Sequence, residues 1–349
     1  VDMGTEKDET GRPGQILSGL LLNKMEETLN KKEQIILMQN RRGFSPIISC
    51  GDCGRLEMCI RCNVPLAYHR KGPPLKCHFC GFYLDIVSPN CRGCKSSNIL
   101  MLGTGTQKIE DIVNNTFPNA SLVRIDMDTS RSAINLKNAI SSFASGEIDI
   151  LLGTQMIAKG LDFENATLVG IINADTGLFL PDFRSGEKLF QLIYQTAGRS
   201  GRRKKPGEVI IQTYNPDNSV IKYASSLDIE SYYKMILDER KSLNYPPYSW
   251  LAKLEFSAKD KKRLNKITDK VYDYLKNPYK GLEILGPVDC YYERLRNKFR
   301  MQIVLKSYKS VDPNGDKLNK YINENLPNWN SMNYSDTKIS IDINPTSLL

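Results

Sequence analysis

Apolar residues fall into two alternating kinds of segment over the first two thirds of the chain. Short runs of Ile, Leu and Val recur at 34–38, 122–125, 150–152, 168–172 and 207–214. Runs this short, bounded by small or polar residues, read as buried strands of a parallel sheet. Between them the apolar positions keep helical spacing. Ile16, Leu20, Met25 and Leu29 predict a helix over 16–29 with Ser18 as its cap. Ile109, Ile112, Val113 and Phe117 predict a second, after a Gly/Thr-rich loop at 103–107. A third covers 134–143 and is stopped by Gly146. A fourth starts near Glu187, with Leu189, Leu192 and Ile193 on one face. This alternation predicts a doubly wound α/β lobe, with functional loops at its strand ends.

From Asp228 the pattern changes. A helix rich in Tyr, Lys and Leu runs to Tyr245-Pro246-Pro247-Tyr248, where the prolines mark a boundary. Strands at 250–256, 282–285, 301–305 and 339–343, with helices at 260–275 and 317–326, predict a small α+β domain. Cys290 within it has the setting of a lone buried cysteine.

Residues 50–94 obey neither pattern. They hold eight of the nine cysteines as four C-x2-C pairs: Cys50/Cys53, Cys59/Cys62, Cys77/Cys80 and Cys91/Cys94. Each pair places two thiolates on one edge of a tetrahedral zinc, so four pairs make two four-cysteine sites. A disulfide framework fits poorly, because no export signal pattern is present. Four pairs combine in three ways. The gap of fourteen residues between Cys62 and Cys77 suits a zinc ribbon and leaves the outer pairs to close a nested second site. His69 and His78, the only histidines, are then expected at the surface rather than as ligands. Some forty residues bury little core, so zinc is expected to supply much of this module's folding energy.

Composition adds a partner class. The chain has 349 residues, 40% hydrophobic and 25% charged, enough for two or three globular domains without an apolar run that spans a bilayer. Its net charge of +9 is unevenly spread. Residues 50–95 carry seven basic side chains against three acidic, and 226–349 twenty-one against sixteen, while the rest balances. Those two regions are expected to meet nucleic-acid phosphates. In the second, 291–300 reads YYERLRNKFR. Arginines 294, 296 and 300 interleaved with aromatics suit a single strand or a duplex end. The stretch reads equally well as a solvated hairpin whose tyrosines pack on the core.

Two further motifs sit at strand and helix ends. GTQMIAKGLDF at 153–163 and QTAGRSGR at 195–202 resemble motifs V and VI of superfamily-2 helicases. The chemistry is consistent. Arg199 and Arg202 on a helix end can neutralise charge developing on a γ-phosphoryl group, and Thr154-Gln155 at a strand end can bond a nucleic-acid phosphate. NRRGFSP, GTGTQKIED, RIDMDT, PDFRSGEK, NYPPY, ILGPV, FRMQIVLK and IDINP accompany them. With these, nearly the whole chain resembles the C-terminal half of the PriA family, the bacterial replication-restart helicases.

The resemblance implies a RecA-like helicase C-terminal lobe with an inserted two-zinc module and a small α+β C-terminal DNA-binding domain. The implied divisions are 1–49 for a linker and the start of the lobe, 50–95 for the zinc insertion, 96–227 for the rest of the lobe, and 228–349 for a linker helix and terminal domain. It implies an ATP-dependent 3′–5′ DNA helicase in the cytoplasm that recognises stalled or branched forks and D-loops. It also implies contacts with single-strand-binding protein and other primosome proteins, and no membrane. Cofactors would be two Zn2+, and ATP with Mg2+ in the full-length protein. By motif, Thr154 and Gln155 would face DNA, Gly160 and Asp162 would couple that contact to nucleotide, and Gln195, Arg199 and Arg202 would face ATP. The eight cysteines would pair in the nested way.

No G-K-[ST] sequence and no DExH-type motif occurs in the chain. It starts at Val1 with the linker-like VDMGTEKDETGRPG. The expectation is a piece without its upstream motor lobe and without ATPase activity of its own. Two rivals are a non-enzymatic zinc-dependent DNA-binding platform and another superfamily-2 helicase for branched DNA. The arginine pair argues against the first, and the eight-cysteine insert against the second.

Overall fold

The computed structural model describes residues 1–6, 16–39, 47–50, 55–60, 65–69, 73–78, 80–102, 106–125, 133–153, 163–178, 180, 182–200, 207–326 and 337–349. A parallel sheet forms the first layer, in the order β10-β9-β1-β8-β7. Its strands are β1 Gln34–Met38, β7 Leu122–Ile125, β8 Ile150–Gly153, β9 Ala166–Ile171 and β10 Glu208–Ile211. In the central strand, Ile35 and Leu37 stand opposite Ile150 and Leu152 on one side and Leu168 and Gly170 on the other. Helix α1 (Gly19–Asn30) is capped by Ser18, whose Oγ accepts from the Leu21 N–H at 3.2 Å. A Cβ on Gly170 would stand 2.9 Å from Leu37 and 3.0 Å from Leu21, so this strand glycine lets α1 approach the sheet. Helix α2 (Thr106–Thr116) shares that core through Ile109 and Val113. Helix α3 (Ala133–Ala144) is followed by Gly146 at φ +84°, the left-handed stop that glycine accepts without strain.

A second core lies under α5 (Ser185–Ser200), α6 (Ser219–Ser225) and α7 (Ile229–Ser242), after the short α4 (Asp175–Leu178). Leu189, Ile193, Ile221, Tyr232 and Ile236 meet there with Ile171 of β9. Asp175, fully buried at the start of α4, accepts from Thr213 Oγ1, the Tyr214 N–H and Asn215 Nδ2 at 3.0, 2.8 and 3.2 Å. Burial raises its pKa, opposed by those three hydrogen bonds, so it clasps the end of β10.

The cysteine-bearing sheet is antiparallel, in the order β5-β4-β3-β2-β6. Its strands are β2 Ile47–Cys50, β3 Ala67–Tyr68, β4 Leu75–Lys76, β5 Tyr83–Leu84 and β6 Ile99–Leu102. The chain enters through β2 and leaves through its neighbour β6, with Ile47 opposite Leu102. The module is therefore inserted between β1 and α2 without disturbing the parallel order.

A third sheet, β12-β13-β11-β14, consists of β11 Ser249–Ala258, β12 Leu282–Leu295, β13 Lys298–Tyr308 and β14 Thr337–Ile343. Helices α8 (Lys261–Tyr274) and α9 (Asp316–Asn325) cover one face, burying Phe256, Leu264, Val271, Ile303, Leu305 and Leu318. The other face meets the cysteine module, where Leu251, Val304 and Leu348 pack with Ile48, Leu66 and Leu75. Burial on both faces explains the unbroken buried run of β13 from Met301 to Ser307. The runs predicted at 282–285 and 301–305 are parts of one long hairpin. Its register shifts between Leu285 and Val288 and again between Asp289 and Arg294, which breaks the alternation that sequence reading relies on. Among the described residues no helix is long and apolar enough to cross a membrane.

Candidate metal centres and nucleic-acid interface

Six of the seven described cysteines gather in two groups, Cys50 with Cys91 and Cys94, and Cys59 with Cys77 and Cys80, while Cys290 lies buried apart from both. Cys53 and Cys62 lie outside the described residues. The grouping follows the nested combination. Cys50 Sγ lies 3.6 Å from Cys94 Sγ, and Cys59 Sγ lies 3.6 Å from Cys80 Sγ. That is far longer than a disulfide at about 2.05 Å and close to the edge of about 3.8 Å that a tetrahedron with ~2.3 Å Zn–S bonds requires. Local folding sets these turns. The Cys77 N–H donates to the Phe82 carbonyl at 2.7 Å and the Cys91 N–H to Ser96 at 2.7 Å, closing two equivalent loops. Gly81 and Lys95, each just after the second cysteine of its pair, adopt φ +76° and +65°. The donor set is all sulfur, so the groups fit zinc held for structure rather than for catalysis.

His78 is 1% exposed, which corrects the expected surface position. The C-terminal domain covers it. Its Nδ1 donates to the Asp289 carbonyl at 3.0 Å, Gln302 Nε2 donates to the His78 carbonyl at 2.9 Å, and Tyr291 meets the imidazole ring edge-on. Burial lowers its pKa to about 3, with His69, Lys76 and Lys261 adding to the shift. His69, half-buried, places Nε2 3.1 Å from His78 Nε2 and Nδ1 3.5 Å from Glu293 Oε1. No pattern in the sequence marks this pair, because its burial comes from residues some two hundred positions away.

The N-terminal end of α5, the helix that carries QTAGRSGR, is braced against the C-terminal domain. Asp182, with no exposed side-chain surface, accepts from Lys188 Nζ at 2.6 Å and Ser347 Oγ at 2.6 Å. Glu187 pairs with Arg240 of α7 at 2.7 Å. Phe183 stacks on Tyr245 at 4.9 Å between ring centres, the guanidinium groups of Arg184 and Arg240 lie 5.3 Å from its ring, and Lys306 of β13 sits 4.7 Å from the Tyr245 ring. Gln195 is half-buried on α5. The backbone of Arg199 belongs to α5, but its side chain lies outside the described residues, as do Arg202, Thr154, Gln155, Gly160 and Asp162. Asp182→Ala removes three acceptor contacts at once, the third being with the Arg184 N–H at 3.1 Å. It is expected to lower the unfolding free energy by about 1.5–3 kcal/mol, the range for hydrogen bonds to a charged group, seen as a lower urea midpoint at unchanged slope.

The β12–β13 hairpin divides the three candidate arginines. Arg294 and Arg296 are exposed, beside a turn in which Arg296 and Asn297 both have positive φ, at 49° and 61°. The Arg294 guanidinium lies 5.3 Å from the Phe299 ring. Arg300 instead grips Glu255 with two bonds, Nε–Oε1 at 2.9 Å and Nη2–Oε2 at 2.7 Å, and is 11% exposed. The tyrosines also turn inward. Tyr291 is 3% exposed and packs with Ala67 and Leu180, and Tyr292 leans on it edge-on at 5.1 Å.

Comparison with known proteins decides the family. Three family models match: PriA DNA helicase Cys-rich region (CRR) domain over 59–82, Helicase conserved C-terminal domain over 89–204, and Primosomal protein N C-terminal domain over 241–346. Replication restart protein PriA of Bacillus subtilis is 40% identical over 100% of the chain. This chain belongs to the PriA family. PriA of Borreliella burgdorferi is 35% identical over 95% of the chain. The chain spans 43% and 49% of the lengths of these two PriA relatives. Among solved structures, the Pyrococcus furiosus Hef helicase domain aligns at 18% identity and TM-score 0.31, covering 62% of this chain and 29% of that one. The PriA Cys-rich match contains Cys59, Cys62, Cys77 and Cys80, together with His69 and His78.

Proposed function

We propose that this chain is the DNA-contacting half of an ATP-dependent 3′–5′ DNA helicase that recognises stalled or branched forks and starts replication restart in the cytoplasm. The observation that carries this reading is the joint match, in one chain, to the helicase C-terminal domain and to the PriA C-terminal domain, with the start of α5 in the first braced against Arg240 and Ser347, which flank the second. Two Zn2+ sit in four-cysteine sites, one made by Cys50, Cys53, Cys91 and Cys94, the other by Cys59, Cys62, Cys77 and Cys80. When bound, these ions supply cross-links and no reaction chemistry. Thr154 and Gln155 meet the DNA strand. Gly160 and Asp162 link that contact to ATP with Mg2+, and Gln195, Arg199 and Arg202 face the nucleotide. Single-strand-binding protein and other primosome proteins are its partners.

DNA binding tests this reading. The chain should bind single-stranded and forked DNA without ATP, with affinity falling steeply as salt rises. Replacing Arg294 and Arg296 together with alanine should reduce the slope of log K against log salt by about 1.4 on single strands, at ~0.7 per phosphate contact. Arg300→Ala should lower the melting temperature, because Glu255 keeps, among the described residues, only its contact with Lys253 at 3.3 Å, and leave the slope unchanged. An unchanged slope in the double variant would place the DNA contact elsewhere on the chain.

A further inference from the structure

We propose that His69, His78 and Glu293 form a third metal site, for Zn2+ or a similar borderline divalent ion, which fastens the base of the β12–β13 hairpin to the cysteine module. The site is separate from both cysteine groups, and its donors come from two modules. His69 follows β3, His78 follows β4, and Glu293 lies in the bulged part of β12.

The hydrogen bonds behind the rings decide what faces inward. His78 Nδ1 lies 3.0 Å from the Asp289 carbonyl, which only accepts, so Nδ1 carries the hydrogen and Nε2 the lone pair. His69 Nδ1 faces the Glu293 carboxylate at 3.5 Å, which favours the same tautomer. Both Nε2 lone pairs then point at one another across 3.1 Å. Two converging lone pairs repel unless a cation lies between them. Two imidazole nitrogens on a tetrahedral ion with bonds of about 2.0–2.1 Å stand about 3.3–3.4 Å apart, so the observed spacing needs only a small adjustment. A backbone carbonyl on the far nitrogen, as the Asp289 carbonyl is for His78, is a partner that orients a metal-bound histidine.

Charge and access agree with this. A ligand atom of Glu293 lies within 4.8 Å of one from each histidine, so a modest side-chain rotation makes the carboxylate the third ligand. The neighbouring cations, Lys76 and Lys261, are both bonded to the Asp289 carboxylate. The Glu293 side chain is 43% exposed, so the ion has a path from solvent that the buried ring of His78 alone would not give. Glu293 stands next to Arg294, so the ion would fix the root of the hairpin whose tip is exposed.

The test is metal counting on the intact chain, dialysed against a slight excess of zinc and then freed of loose ion. Three zinc ions per chain are expected in the parent, and two in His69→Ala and in Glu293→Ala. His69 and Glu293 are only partly buried, so these variants should keep the native circular dichroism that the buried His78 would put at risk. Cobalt exchange separates the ligand types. Two equivalents should bring the intense near-ultraviolet band of cobalt–thiolate bonds. The third should add only weak visible absorption, and His69→Ala should remove that increment alone. Saturation of the parent at two metal ions would overturn the proposal and leave a proton shared between the rings. A third ion that persists in His69→Ala would equally overturn it.

Discussion

Cys77→Ser is expected to release one zinc and unravel the cysteine module. Cys77 is fully buried and belongs to the group with Cys59 and Cys80. Structural zinc contributes about 10–16 kcal/mol of apparent binding energy in zinc-finger peptides, as much as the total stability of an ordinary domain. A sheet made of two- and four-residue strands has no reserve of that size. Zinc content should fall by one ion relative to the parent, and hydrogen exchange should accelerate across 55–60, 65–69 and 73–84. The shared core directs the damage further. Leu66 and Leu75 pack against Leu251 and Val304, so protection in β11 and β13 should also drop. The parallel sheet has its own core around Ile35, Leu37, Ile150 and Leu152 and should keep its exchange protection. Unchanged protection in the module, with one zinc fewer, would refute a structural role for that ion.

What the sequence could and could not announce follows from the range of the forces involved. Strands β1 and β7 coincide with the apolar runs at 34–38 and 122–125; β1, central in the sheet, is buried almost throughout, while β7 at the edge is half-buried and carries Arg124. Ser18 caps α1 as expected, since capping is settled within three residues. Spacing left three combinations of the cysteine pairs and suited the nested one, which the family resemblance implied and which the described cysteines follow. Pairing across sheets was not legible. Ser257 stands opposite Arg300 in the β11–β13 register, which puts Glu255 of the same strand within reach of the guanidinium. Nothing within ten residues of Arg300 signals that ion pair. The burial of His78 and the brace at Asp182 fail for the same reason. Each depends on a partner more than 150 residues away. The stretch 291–300 allowed two readings, and its parts divide between them: the tyrosines pack inward, and Arg294 and Arg296 stay in solvent.

In a longer protein that includes a nucleotide-binding lobe, Arg199→Ala or Arg202→Ala is expected to cut DNA-stimulated ATP turnover by about a thousandfold or more, the range for an arginine that stabilises a phosphoryl-transfer transition state. The chain alone, which has no G-K-[ST] sequence, should hydrolyse ATP no faster than background with or without DNA. The fold supplies a reason for so large an effect. A finger arginine acts through preorganisation, so the element that carries it must be stiff and anchored. Helix α5 is anchored at its start by Lys188 on Asp182 and Glu187 on Arg240, and along its length by the buried Leu189, Leu192 and Ile193. At 1.5 Å per residue, Arg199 stands about 18 Å beyond Glu187 on the same rod. The brace therefore ties the aim of the arginines to the C-terminal domain. DNA binding should survive in both variants, because neither arginine belongs to the hairpin. A kcat that collapses while DNA affinity holds would mark the two residues as ATP-facing. Full turnover in both variants would remove that role and shift the reading to a zinc-dependent DNA-binding platform.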